Sequence, residues 1–252
     1  MKNIRIIPRL DIKGSNVINT IQLEGLRVVG LPNQLAKKYS FEGADELLII
    51  DQVASLYKRN NLVNLIKEFT KDIFIPITVG GGVRSVEDAR LILRSGADKV
   101  AINTAATLDS TIISKLANEF GSQCVVASIP SKKNLDTWEV YIDGGRQKTN
   151  LNVFQWAEQL ISLGAGELLI TSIDNDGTRK GFDIDLMKGF ENFNSVPIIV
   201  SGGLGNANHA LELVNQINCS AIAIADFLHM NRGGGIKEIK NILAKHNYDI
   251  RE

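Results

Sequence analysis

Eight short apolar runs rich in β-branched residues recur along the chain, separated by stretches with helical spacing. The runs are RIIPRL at 5–10, ELLIID at 46–51, IPITV at 75–79 and KVAIN at 99–103. They continue with CVVASI at 124–129, ELLITS at 167–172, PIIVSG at 197–202 and AIAIA at 221–225. Their hydrophobicity is continuous rather than alternating, as in strands buried on both faces, and such strands belong to parallel sheets. The segments between them, such as VEDARLILRSG at 86–96 and STIISKLANEFG at 110–121, are amphipathic, and several end in Gly. Glycine is a common residue just past a helix C-terminus. Strand and helix alternate without a linker-like stretch. The prediction is an α/β chain, a single (β/α)8 TIM barrel over residues 1–252, an architecture that typically takes about 250 residues. An open doubly wound sheet is the weaker rival, because no GxGxxG follows the first strand.

The chain also repeats itself. GADELLIIDQVAS from Gly43 matches GAGELLITSIDND from Gly164, and ITVGGGVRSVEDA from Ile77 matches IIVSGGLGNANHA from Ile198. Both pairs share the offset of 121, which chance similarity among buried strands does not explain. Two similar half-barrels are expected, spanning about 1–121 and 122–252.

Composition excludes several classes. Lys+Arg and Asp+Glu balance at 28 each, so no bulk field attracts nucleic acid or an anionic membrane. Cys124 and Cys219 each sit in an apolar run and read as buried thiols, giving neither a disulfide framework nor a metal site. No metal or other cofactor is expected. The N-terminus begins directly with a strand pattern, and nowhere is there the run of about 18 apolar residues that a membrane span needs. The expectation is a soluble, cytoplasmic protein.

In such barrels the chemistry sits on the loops after the C-terminal ends of the strands. Gly80-Gly81-Gly82 and Gly202-Gly203 fall there after strands three and seven, and Asn103-Thr104 and Ala225-Asp226 after strands four and eight. Glycines let backbone N–H groups approach an anion, so two cups on opposite sides of the mouth suit a ligand with a phosphate at each end. A lone glycine cluster would read as a tight turn. Asp226 breaks the symmetry by placing a carboxylate where a phosphate wants donors. Carboxylates at the same end are the general acid–base candidates: Asp11, Asp51, Asp174 and Asp176. Singly, each is more commonly a cap or a loop acceptor. The repeat places Pro130 where the second half needs a partner for Asp11, and proline transfers no proton.

IIPRLDIKG, ADELLIID, TVGGG, GADKVAINTAA, GELLITSIDNDGTRKGFD and IIVSGGLG together resemble the cyclase subunit family of imidazole glycerol phosphate synthase, essentially end to end. The resemblance implies a heterodimer with a glutaminase (class I glutamine amidotransferase) docked on the face at the strand N-termini. Ammonia released there would cross the barrel to a substrate at the opposite face. It implies phosphate binding by Gly82, Asn103 and Thr104 on one side and by Asp176, Gly177 and Gly203 on the other, through backbone N–H groups where the side chain is anionic. It implies Asp11 as a catalytic residue and an ammonia gate of Arg5, Glu46, Lys99 and Glu167. Asp98 would face the glutaminase, and Thr78, Thr171 and Ser201 would line the channel.

The departures from the family matter equally. Its second catalytic Asp is Pro130 here, its catalytic-loop lysine is Asn19, and acidic residues near the loop end are Val28 and Leu31. Removing a positioned acid or base typically costs about 10²–10⁴-fold. The favoured expectation is therefore a paralogue that keeps the ammonia conduit and supplies amidation of a surface-polysaccharide sugar. The alternatives are an active histidine-pathway cyclase with a relocated base, Asp51 or Asp174, and a non-catalytic scaffold for the glutaminase.

Overall fold

A computed structural model describes residues 3–53, 62–231 and 233–251, with the Leu26 side chain also left out. Among these, eight parallel strands close into a barrel. They are β1 (Arg5–Lys13), β4 (Leu47–Asp51), β5 (Ile77–Gly80), β6 (Lys99–Ile102), β7 (Val125–Asn134), β10 (Glu167–Ser172), β11 (Ile198–Ser201) and β12 (Ala221–Ile224). Neighbours pair in that order, β12 pairs with β1, and β7 pairs with β10 from Glu167↔Val126 to Ser172↔Ser131. Every strand lies between two others, so the sheet has no free edge along this ring. The (β/α)8 barrel expected from continuous apolar runs is the fold observed.

Helices return each connection to the barrel floor. They include α1 (Pro32–Phe41), α2 (Leu62–Phe69), α3 (Val86–Arg94), α4 (Thr104–Leu108), α5 (Thr111–Phe120), α6 (Val153–Ser162), α7 (Ile184–Lys188), α8 (Ala207–Gln216), α9 (Asp226–His229) and α10 (Gly235–Lys245). Helix α3 starts where it does because Ser85 and Asp88 form a capping box: Ser85 Oγ accepts from Asp88 N–H, and the Asp88 carboxylate accepts from Ser85 N–H, each at 3.1 Å. None of the helices among the described residues is long and apolar enough to cross a membrane.

Two connections differ from the expected pattern. The segment after β1 is a hairpin rather than an irregular loop, formed by β2 (Asn16–Ile21) and β3 (Glu24–Gly30). The segment after β7 carries a second one, β8 (Thr137–Ile142) and β9 (Gln147–Asn152). Both extend a barrel strand beyond the rim and overhang the mouth.

The core has two compartments. A large apolar shell fills the space between strands and helices, with Tyr39, Phe69 and many Ile and Leu side chains wholly buried. Inside the barrel, Ile7, Leu48, Ala101, Val126, Leu169, Ile199, Ala221 and Ala223 form a separate apolar belt. The strands are apolar on both faces because each face meets one of these two compartments.

Candidate functional site

Below the belt, at the strand N-termini, Arg5, Glu46, Lys99 and Glu167 form a closed ring of alternating charge. Arg5 pairs with Glu46 at 2.7 Å and with Glu167, and Lys99 pairs with Glu46 at 3.0 Å and with Glu167 at 2.8 Å. The Thr78 hydroxyl donates to Glu46 as well. Both carboxylates are buried, while the two cations keep partial contact with solvent. Burial works against the Arg5 charge, but Glu167 and Glu46 outweigh it and hold its pKa above the ordinary value. Asp98 lies exposed beside Lys99, its carboxylate accepting from Ile77 N–H at 2.8 Å.

Above the belt, a side chain that sequence reading passed over crosses the barrel. Arg9 is buried and donates to Asp11 at 3.0 Å and to the Thr171 and Ser201 hydroxyls at 3.2 Å each. Thr171 and Ser201, expected as channel lining, thus hold a guanidinium between them. Burial opposes its charge, yet Asp11 and Asp176 overcome that and keep it protonated. The available signal was a lone arginine inside an apolar strand run. Asp11 also accepts from Gln52 Nε2 at 2.6 Å, so its carboxylate is fixed from two sides.

The mouth has two unequal cups. The larger is an open cavity of about 480 Å³ bounded by Gly81, Gly82, Asn103, Thr104, Asp143 and Pro130, with Arg9 and Asp51 also in its wall. Gly81 sits at φ +91°, and a Cβ there would come within 2.3 Å of the Asp51 carbonyl oxygen, so the turn after β5 requires glycine to pass that close to β4. Gly82, at φ +77°, continues the turn. Asn103 Nδ2 donates to the Ser128 and Tyr141 carbonyls at 3.2 and 3.1 Å, and Thr104 Oγ1 accepts from Asp143 N–H at 3.1 Å. Gly82, Asn103 and Thr104 are therefore brought together, with the β8–β9 hairpin tied to them.

The smaller cup encloses only about 20 Å³ between Asp176, Gly177, Gly203, Asp226 and Asn19. The backbone N–H of Asp176 donates to the Ser172 and Ile173 carbonyls at 3.0 and 3.2 Å, so it is engaged within its own turn. Gly177, at φ +68°, lets the chain pass the hairpin, since a Cβ there would lie 2.3 Å from the Thr20 carbonyl oxygen. Asp174 accepts from Lys133 N–H at 2.7 Å and pins the neighbouring strand. Of the relocated-base candidates, Asp51 alone faces the larger cavity. Among the described residues, no group of three or more His, Cys, Asp or Glu side chains is placed to hold a metal ion.

Asp176 accepts from the Thr20 hydroxyl at 3.0 Å and from Leu23 N–H at 3.3 Å. Burial pushes its pKa from 3.8 up to about 6; Arg9 opposes this and Asp11 adds to it. Between those values the folded chain holds a proton that the unfolded chain has released, so this group lowers stability as pH rises through that window. Asp176→Asn keeps an acceptor for both donors and removes the penalty. The variant should gain about 2–3 kcal/mol over wild type at pH 7 and little at pH 4, read by urea denaturation at each pH. Equal differences at both pH values would refute the assignment.

Comparison with known proteins fits this arrangement of floor and mouth. The histidine biosynthesis protein family matches residues 5–242. The chain belongs to that family. It is 57% identical over 206 residues to the imidazole glycerol phosphate synthase subunit HisF of Legionella pneumophila, covering 81% of this chain and 97% of the relative. The HisF subunit of Prochlorococcus marinus strain NATL2A is 42% identical over 254 residues, 100% and 99% of the two chains. That of Myxococcus xanthus strain DK1622 is 45% identical over 247 residues, 98% and 97%. Family membership thus extends across both cups and the charged ring.

Proposed function

We propose that the chain is the ammonia-accepting barrel of a two-subunit, glutamine-dependent synthase, paired as a heterodimer with a glutaminase at its floor. The charged ring directly beneath an apolar belt carries this reading. Ammonium entering the belt would lose its hydration at a cost of several kcal/mol, whereas neutral ammonia would not. Ring and belt together therefore favour the neutral form. A plug serving stability alone is achieved as well by apolar residues of similar volume.

The floor also offers a docking surface. Phe41 ends α1 and Phe74 lies three residues before β5, so both sit at the floor, and they are 90% and 89% exposed. Exposed aromatics beside a partly solvated ion ring are typical anchors for a partner. Phe74→Asp is expected to weaken glutaminase binding at least about tenfold by calorimetry. Unchanged affinity would move the interface off this face.

The relatives reported above are named for imidazole glycerol phosphate synthase, which supports the cyclase reaction of histidine biosynthesis over amidation of a surface-polysaccharide sugar. In that reaction, Asp11 is the catalytic carboxylate and Gly82, Asn103 and Thr104 hold a substrate phosphate. A second reading, in which ammonia passes on to a separate acceptor enzyme, is favoured by one observation: Pro130 borders the cavity and Asp11 is immobilised by Arg9 and Gln52. Ammonium salt and the family's ribonucleotide substrate, supplied to the purified barrel without glutaminase, separate the two. Product assigns the cyclase; no product from a folded barrel that still stimulates glutaminase assigns the conduit.

A further inference from the structure

The two-residue period of the strands places a single cation directly above the apolar belt. On β1 the inward-facing residues are Arg5 in the floor ring, Ile7 in the belt and then Arg9. On β10 they are Glu167, Leu169 and Thr171, and Thr171 accepts from Arg9. A molecule leaving the belt upward therefore meets the Arg9 guanidinium first. Its Nε is taken by Asp11 and its Nη1 by Thr171 and Ser201, but Nη2 donates to nothing among the described residues. Nor is Nη2 sealed in, since Arg9 forms part of the wall of the cavity of about 480 Å³.

We propose that Arg9 is a catalytic residue whose Nη2 holds the carbonyl oxygen of a phosphorylated substrate, at the carbon that ammonia attacks. This rests on the reading of the chain as an ammonia-accepting barrel and deepens it. The charges around Arg9 select a carbonyl over a second anion. Its positive charge is already matched by Asp11 at 3.0 Å, and Asp176 acts on it as well. A full anion brought to Nη2 would meet two carboxylates behind one cation, whereas a neutral carbonyl oxygen needs only a donor.

The negative charge develops during the reaction. As the nitrogen lone pair forms the C–N bond, the C=O pair moves onto oxygen, where a donor fixed in advance stabilises it. Asp11, Thr171 and Ser201 fix that donor from three strands. The nitrogen is then positive and has a proton to lose. Both donors to Asp11 use Oδ1, so Oδ2 makes no hydrogen bond among the described residues and can accept this proton. Returned to the oxygen, the proton completes a neutral carbinolamine; one ammonia and one carbonyl compound are consumed, and nothing is oxidised. Arginine does not release its own proton, so Arg9 supplies charge and a hydrogen bond while Asp11 moves the proton.

Dihydroxyacetone phosphate, a ketone carrying one phosphate, serves as the probe, and the infrared carbonyl stretch of the bound molecule is the readout. In wild type the stretch is expected at lower wavenumber than in the free ketone. It should return toward the free value in Arg9→Met and in Arg9→Lys, whose compact head group cannot serve Asp11, both hydroxyls and the ketone together. An unshifted stretch in wild type, or an equal shift in the variants, overturns the proposal; should Arg9→Met fail to fold, wild type and Arg9→Lys still decide. If inorganic phosphate binds at millimolar concentration but the ketone phosphate does not, the proposal falls and the Gly82 cup stands. If neither binds, the cup falls with it. With ammonium salt and the family's ribonucleotide substrate, kcat should drop about 10²–10³-fold in Arg9→Lys with KM little changed, and an unchanged kcat overturns the proposal. A wild-type barrel that shifts the ketone stretch without turning over the ribonucleotide keeps the role of Arg9 and overturns the cyclase reading instead.

Discussion

Pro130→Asp is expected to raise ammonia-dependent cyclase turnover by about 10²–10⁴-fold, the range a positioned general acid or base supplies. Pro130 lies in β7, pairs with Thr171 of β10 and borders the larger cavity, so a carboxylate there would face the space where substrate is proposed to bind. Arg9 borders the same cavity and would compensate the new charge. Arg9 and Gln52 both hold Asp11 through Oδ1, at 3.0 and 2.6 Å, which opposes its swinging between two proton-transfer positions. The measurement is steady-state turnover with ammonium salt and the family's ribonucleotide substrate, without glutaminase. A wild-type rate already at family level, unchanged in the variant, would show that another group does the work. Asp51, in the same cavity wall, would then be the first to replace.

The barrel was legible because its strands face apolar surroundings on both sides, a constraint that leaves the same mark eight times over. The floor ring was legible because each member opens a strand run, and the resemblance supplied their grouping. The two hairpins were not. Hairpin turns need residues at positive φ, usually flagged by Asn-Gly or Asp-Gly. The β2–β3 turn uses Gln22 and Leu23 at φ +55° and +59°, residues that give no such flag. The β8–β9 turn does carry one in Asp143-Gly144-Gly145, all at positive φ, and reading it would have found that hairpin. Arg9 and Arg179 were missed for another reason. Arg9 meets Thr171 and Ser201 only because the barrel closes, and Arg179 reaches Asp226 across 47 positions of sequence. The sequence showed Asp226 out of place in a phosphate cup, but only the fold shows which cation answers it.

Lys99→Ala should separate the two sources of nitrogen. With Lys99 gone, Glu46 and Glu167 share Arg5 alone, and two buried carboxylates are left under-compensated. Removing one partner of a fully buried pair costs about 3–5 kcal/mol, so a loss nearer 2–4 is expected here. The cost is lower because the Lys99 side chain keeps 19% of its surface in water. The informative readout is a ratio. If the ring admits ammonia from a docked glutaminase, glutamine-dependent product should fall by at least about tenfold relative to product formed from ammonium salt, which can reach the mouth directly from solvent. Stability loss alone would lower both rates together. Lys99→Arg keeps the charge but enlarges the head group, so it should restore stability while leaving the ratio depressed. If the glutamine and ammonium rates fall in step in both variants, the ring is a structural plug, and ammonia enters the barrel by another route.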